Sequence, residues 1–219
     1  MKNKTAAIVL SGCGVFDGSE IHEAVITLLN LQKLGAKTAF FAPDIPQSDT
    51  VNHADGSPES GVRSVLAESA RIARGEISAL SEFRAEDFDI LVFPGGFGAA
   101  KNLSDFAFRG ADMSVNAEVD AAVKAMVSAG KPVGFVCISP VIGAKSIGGG
   151  VKLTIGRDPQ TAAAIRALGG EHVECAADGF VCDSERNVFS TPAYMLATDT
   201  AQIDRGVGAM LAAMLKSAK

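Results

Sequence analysis

The chain has no tryptophan and a single tyrosine, Tyr194, among 219 residues. Stacking platforms for single-stranded nucleic acid are therefore scarce. It has no basic cluster interleaved with aromatics, and its formal net charge is −5 at pH 7, so no nucleic-acid partner is expected. No apolar run approaches transmembrane length, and no membrane partner is expected. The N-terminal Met1-Lys2-Asn3-Lys4-Thr5 leads into an apolar run too short for a signal peptide, and it reads as the start of a strand. The four cysteines, at 13, 137, 175 and 182, form no Cys-x-x-Cys pair. The three histidines, at 22, 53 and 172, lack ligand spacing. This pattern argues against a disulfide framework or a zinc site, and no metal is expected. It predicts reduced thiols and a cytoplasmic protein.

What is present is a large apolar fraction, 47%, with a mean hydropathy of +0.23. That is enough for a sizeable core. Ala6 to Leu10 reads as a strand ending in the turn Ser11-Gly12-Cys13-Gly14. Asp17 or Ser19 can cap the helix that follows. Ile21, Ala24, Val25, Leu28 and Leu29 give it one apolar face, and Gly35 ends it. Lys37 to Ala42 is a second strand, so the chain opens with a βαβ unit. Residues 43–61 are polar and turn-rich, a surface excursion with room for a short hairpin. Val62 to Arg74 reads as a helix, Asp89 to Phe93 as a strand, and Ala99 to Arg109 as partly helical. A helix follows over Val115 to Met126. Val151 to Ile155 is a short strand, Asp158 to Leu168 a helix, and His172 to Cys175 strand-like. Gly179 to Asp183 and Val188 to Thr191 pair as a hairpin. The last helix carries Ile203, Val207, Met210, Leu211, Met214 and Leu215 on one face. No repeat or linker interrupts the pattern. It predicts one α/β domain, a mostly parallel sheet with helices on both faces.

The stretch from Lys131 to Pro140 organises this layout. Val133, Phe135 and Val136 form a buried strand that stops at Cys137 and turns straight into a helix. Ser139 is its candidate cap, and Pro140 sits in its first turn. Two readings stand on this stretch alone. One is a nucleophile elbow carrying a thiol beside a helix N-terminus. The other is a buried small hydrophobe. Pro94-Gly95-Gly96, after another strand, offers backbone N–H groups that could form an oxyanion hole with that of Ile138. Glu20 and Glu23, on the first helix, are candidate proton carriers. A solvated face suits Glu20, whereas Glu23 lies a turn deeper and could aim at Cys137.

Three segments carry a resemblance: Ser11 to Ala24, Pro94 to Ser104, and Gly134 to Pro140, with Thr191-Pro192-Ala193-Tyr194-Met195 near the end. They are similar to the ElbB family, glyoxalase-like members of the PfpI/ThiJ superfamily, over nearly the whole chain. The resemblance implies a single domain spanning 1–219. Its fold would be a three-layer αβα sandwich, flavodoxin-like and of the class I glutamine amidotransferase type. It implies a reactive cysteine at Cys137 and, counting back from Gly35, its glutamate partner at Glu23. Gly96 and Ile138 would form the oxyanion hole. Cys13, His53 and Tyr194 are candidate substrate-binding residues. The implied activity is a cofactor-free lyase of the glyoxalase III type, converting glyoxal or methylglyoxal to 2-hydroxy acids, in a homodimer. A redox-responsive protein with an oxidisable Cys137 is the alternative. A glutamine amidotransferase-type hydrolase fits less well. Ile138 and Ser139 depart from the superfamily's cysteine motifs, and His172-Val173-Glu174 lies on a strand too close to Cys137.

Overall fold

The computed structural model describes residues 4–218; residues 1–3 of the N-terminal stretch read above, and residue 219, lie outside the described residues. The chain begins with β1 (Thr5–Val9), α1 (Ile21–Lys33), β2 (Lys37–Ala42), α2 (Val65–Ile72), β3 (Ile77–Ala79) and β4 (Ile90–Phe93). Two short helices, α3 (Phe97–Lys101) and α4 (Phe106–Arg109), lead to α5 (Ala117–Ser128), β5 (Val133–Val136) and α6 (Pro140–Ile147). Then come β6 (Val151–Leu153), α7 (Pro159–Ala167), β7 (Gly170–His172), β8 (Val181–Asp183), β9 (Val188–Thr191) and α8 (Thr200–Ser217).

Seven strands form one sheet in the order β3-β2-β1-β4-β5-β9-β8, parallel except for the final β9–β8 pair. The parallel pair β6–β7 stands apart. The architecture is the expected αβα sandwich with a mostly parallel sheet. Its core divides by strand alternation. Ala7, Val9, Leu91, Phe93, Val133 and Phe135 pack with α5 and α6 on one face. Ala6, Ile8, Leu10, Ile90, Val92 and Val136 pack with α1 and α8 on the other. All twelve are fully buried, each worth roughly 1.5–3 kcal/mol for the larger side chains. Phe93 and Phe135 stack at 5.4 Å on adjacent strands. Gly134 lets α8 lie close: a Cβ there would meet the Met214 sulfur at 2.6 Å.

Several expectations shift. The strand read over His172 to Cys175 pairs instead as Gly170–His172, because that register matches β6. β3 has no sequence signal of its own; three half-buried edge residues make a strand by pairing with β2. The segment from Ala99 to Arg109 breaks at Leu103-Ser104, where Ser104 bridges Val115. In the excursion, Val51 bridges Pro58. The largest departure is in α1. Of the five residues read as its core face, Ala24 is buried and Leu28 packs against the core, but Ile21, Val25 and Leu29 are 42%, 46% and 43% exposed. Its inward side carries Glu23, Thr27 and Asn30 beside Ala24 and Leu31. Asn30 is held by the Asp204 carboxylate of α8 at 2.8 Å. Tertiary contacts thus override the helix's own apolar stripe.

Candidate active site

β1 and β4 are neighbours whose connections leave to opposite sides, so the crevice outside their carboxyl ends is the switch point of the sheet. The turns after β1, β4 and β5 meet there. Glu20 N–H donates to the Gly95 carbonyl at 2.9 Å, and Cys137 N–H to Thr191 at 3.0 Å. Ser139 does not cap α6; its hydroxyl donates to the Pro94 carbonyl at 2.7 Å and ties the Pro-Gly-Gly turn to the cysteine turn.

Cys137 adopts φ 62°, a left-handed conformation unusual outside glycine, at the junction of β5 and α6. This strained strand-to-helix turn is the geometry of a nucleophile elbow. The side chain is buried, 8% exposed. The N–H groups of Gly96 and Ile138 donate toward its sulfur, and Glu23 hydrogen-bonds to it. Glu23 is wholly buried. Its Oε2 accepts the Gly95 N–H at 3.0 Å, and its Oε1 the Tyr194 N–H at 3.1 Å. Tyr194 follows Ala193, which is also left-handed at φ 44°. Gly95 lies in the narrow gap: a Cβ there would collide with the cysteine and lie 2.5 Å from Glu23 Oε2. Gly96 has φ 97°, and a Cβ would strike the backbone at Glu20.

Burial decides the protonation of this pair. It pushes the Glu23 carboxyl up to about 8, against the opposing hydrogen bonds from Tyr194, Cys137 and Gly95. Burial, and then the charge of Glu23, push the Cys137 thiol well above its usual range. The N–H groups of Gly96 and Ile138 pull it down, but by less. A helix N-terminus beside the thiol favours thiolate, but desolvation outweighs it. Near neutrality both groups carry protons, and the first to leave is that of the coupled Glu23–Cys137 pair.

Glu20 is not on a solvated face. It is buried and caps α1, its Oε2 accepting the Glu23 N–H at 2.7 Å. Neither Asp17 nor Ser19 is the cap. Asp17 holds the excursion through Val51 N–H at 2.8 Å, and Ser19 Oγ accepts the Ser11 N–H at 2.9 Å.

A cavity of about 620 Å3 opens from Cys137, Gly96 and Ile138 between α3, α4 and α7. Tyr194 lines it, as does Met195. The Tyr194 hydroxyl bonds His22 Nδ1 at 2.8 Å. Cys13 and His53 are not among its lining residues. Cys13 is half-buried and faces α2, where burial and then Glu68 raise its thiol. His53 donates from Nδ1 to the Val51 carbonyl at 3.0 Å and accepts the Phe16 N–H at Nε2 at 3.1 Å, so it pins the excursion. His172 accepts the Ile155 N–H at 3.3 Å, away from the cavity. Gly95, expected to offer its N–H to an oxyanion, gives it to Glu23 instead; the residues missed from sequence are the Tyr194 backbone and the apolar lining. Tyr194 lies inside a motif quoted above; the lining is scattered over three helices and shares no motif. Among the described residues, no cluster of three or more acidic, Cys or His side chains could hold a metal.

An αβα sandwich whose elbow cysteine faces a buried glutamate places the protein in the DJ-1/ThiJ/PfpI class of folds. A DJ-1 superfamily structure from Salmonella typhimurium shares that fold at a TM-score of 0.62, with 22% identity over 97% of this chain and 90% of that one. The human glutamine amidotransferase-like class 1 domain-containing protein 3, mitochondrial, is 47% identical over 96% of this chain and 82% of its own length. The rat ES1 protein homolog, mitochondrial, is 46% identical over the same shares. A crystal structure of an isoprenoid biosynthesis protein with amidotransferase-like domain from Ehrlichia chaffeensis superposes at a TM-score of 0.91, with 38% identity over 99% of this chain and all of that one. No family model matches the chain. The chain belongs to the ES1 family of glutamine amidotransferase-like class 1 proteins, in accord with its ElbB-like motifs. The cytoplasmic expectation is overturned: the human, rat and zebrafish relatives are all named as mitochondrial. Unpaired cysteines report a reducing environment rather than an address.

Proposed function

We propose that the protein is a cysteine enzyme acting on reactive dicarbonyls such as methylglyoxal, without a cofactor. One observation carries this reading: a strained, buried Cys137 hydrogen-bonded to a Glu23 carboxyl that burial pushes up to about 8, with two N–H groups directed at the sulfur. Ionised Glu23 accepts the thiol proton as Sγ bonds to the aldehyde carbon, then passes that proton to the resulting oxyanion, which gives a hemithioacetal and leaves Glu23 ionised again. Glu23 next takes the hydrogen of the former aldehyde carbon as a proton and returns it to the adjacent carbonyl carbon, while the hemithioacetal O–H proton moves to the neighbouring ketone oxygen. The aldehyde carbon is oxidised to a thioester while its neighbour is reduced to an alcohol, so no outside electrons are needed. Water hydrolyses the thioester, releasing the 2-hydroxy acid and restoring the thiol. Gly96 and Ile138 N–H groups stabilise the developing oxyanion.

The test is methylglyoxal turnover with 2-hydroxy acid detection, wild type against Cys137→Ala. Equal turnover by both would remove the reading. A redox role for Cys137 is favoured by the protonated Glu23, which could donate to a sulfinate formed with two equivalents of peroxide. Two added oxygens on Cys137 in peroxide-treated protein, retained in Glu23→Gln, would count against that arrangement. Glutamine hydrolysis is disfavoured, because no histidine is among the residues lining the cavity. We further propose a homodimer, with the exposed Ile21, Val25 and Leu29 stripe of α1 as the contact. Sedimentation of wild type against Val25→Glu tests it.

A further inference from the structure

The cavity beside Cys137 is far larger than the few heavy atoms of methylglyoxal fill, and its volume of about 620 Å3 lies within the range of sites for much larger ligands. Its walls are apolar. Phe97 and Ala100 of α3, Phe106 and Ala107 of α4, Ala164 of α7 and Met195 are among the residues that line it. The polar side chains among them, Gln160, Thr161 and Tyr194, are all neutral, and the Tyr194 hydroxyl is already bonded to His22. None of the described lining residues is a lysine, arginine, aspartate or glutamate.

The cations of α3 and α4 are paired, and Lys101 Nζ also lies 5.5 Å from the ring centre of Phe97; neither they nor Arg166 of α7 is among the lining residues. Lys101, one turn beyond Phe97, reaches the Asp49 carboxylate at 2.8 Å and the Phe16 carbonyl at 2.9 Å. Arg109 pairs with Asp105 at 3.6 Å. A carboxylate-bearing ligand, whether an amino acid or a 2-oxo acid, would lose its water here and meet no counter-charge. An alkyl or aryl body would gain by leaving water along the whole wall. The catalytic groups ask only for a carbonyl beside Cys137, and the walls then select what is attached to it.

We propose that the substrate class of this site is an uncharged carbonyl compound with an extended apolar body, its carbonyl at Cys137 and its chain lying between α3, α4 and α7. This deepens the proposed carbonyl chemistry and rests on it for the reacting group; the body's selection rests on the walls alone. The small dicarbonyls then stand as minimal substrates that fill only the catalytic end.

The experiment separates the two. Straight-chain carboxamides from propanamide to octanamide, which do not react with thiols, are titrated against alkylation of Cys137 by iodoacetamide, read by mass spectrometry. Octanoate is the charged control. Protection should tighten by about threefold to fourfold per methylene, the transfer energy of one CH2 group. Octanoate should be at least roughly tenfold weaker than octanamide, since it buries an unpaired charge. Ala107→Phe, which fills the cavity, should flatten the series beyond the shorter amides. A wild-type series with no chain-length dependence, or octanoate protecting as well as octanamide, overturns the proposal. Methylglyoxal turnover is measured beside it. Absent turnover with the amide series intact strikes the carbonyl chemistry alone, and turnover with a flat series strikes the apolar body alone.

Discussion

Two cysteines sit past the carboxyl ends of the parallel strands that flank β4, Cys13 after β1 and Cys137 after β5, each before a helix. Only one is built into a site. At Cys13 the flanking glycines absorb the turn, Gly12 at φ 113° and Gly14 at φ 132°, and the thiol faces Glu68 and Arg71 of α2. At Cys137 the cysteine itself takes the left-handed conformation, which presents its sulfur to two N–H groups and Glu23. A position past a strand end therefore does not make a nucleophile. What differs is which residue carries the strain and what the surrounding turns aim at it.

The sharpest way to break this comparison is to remove each thiol. Cys137→Ala should lower kcat/KM for methylglyoxal by at least about 10^3-fold, as expected for loss of a nucleophile. Cys13→Ala should stay within a few-fold of wild type in the same assay. Similar losses from both would erase the distinction.

The next largest effect separates the two glutamates of α1. Turnover should rise with pH through about 8, as Glu23 loses its proton and can accept that of the thiol. Glu23→Gln should cost about 10^2- to 10^4-fold in kcat/KM and flatten this rise. Glu20→Gln should instead lower stability by about 1 kcal/mol through the lost cap, leaving the shape of the pH profile unchanged. A profile moved by Glu20→Gln alone would reverse the assignment.

Stability should follow the same carboxyl. Its value is about 8 in the folded chain against an ordinary 4.5, so the folded state holds the proton more tightly. That contribution is fully present below about 4.5 and is lost as pH rises to about 8. The Tm of wild type should therefore fall between these limits, and Glu23→Gln should show a shallower decline. A Tm rising over that range by equal amounts in both proteins would contradict the buried-carboxyl account.

The smallest effect belongs to the Cys13 side. His53→Ala removes two hydrogen bonds that hold the excursion, at a cost of roughly 1–3 kcal/mol by denaturant titration. Turnover should stay within a few-fold of wild type. A loss comparable to that of Glu23→Gln would bring His53 back into the site.

Much of this was legible along the chain. Continuous apolar runs at Ala6 to Leu10, Ile90 to Phe93 and Val133 to Val136 mark strands covered on both faces, and their order with the helices defines a parallel sandwich. The β5–Cys137–α6 junction is legible because strand, cysteine and proline are consecutive. Glycine pairs after strands mark close approach, as Gly95 shows. Short-range pattern sufficed wherever neighbours in sequence are neighbours in space.

The tertiary structure alone decided the rest. The inward side of α1 carries Glu23, Thr27 and Asn30, although periodicity favoured Ile21, Val25 and Leu29. A hydrophobic stripe says that a helix has two sides; only its packing against β2, α8 and the turns says which is turned inward. The charge state of Glu23 is likewise absent from its local sequence. Its ligands come from Gly95 and Tyr194, 72 and 171 residues away along the chain, and its desolvation comes from the whole fold. The cavity walls, drawn from α3, α4 and α7, converge only once the sheet orders the helices around it. Strand and helix formation depend on neighbours a few residues apart, whereas burial, pairing and pKa depend on what the folded chain brings together.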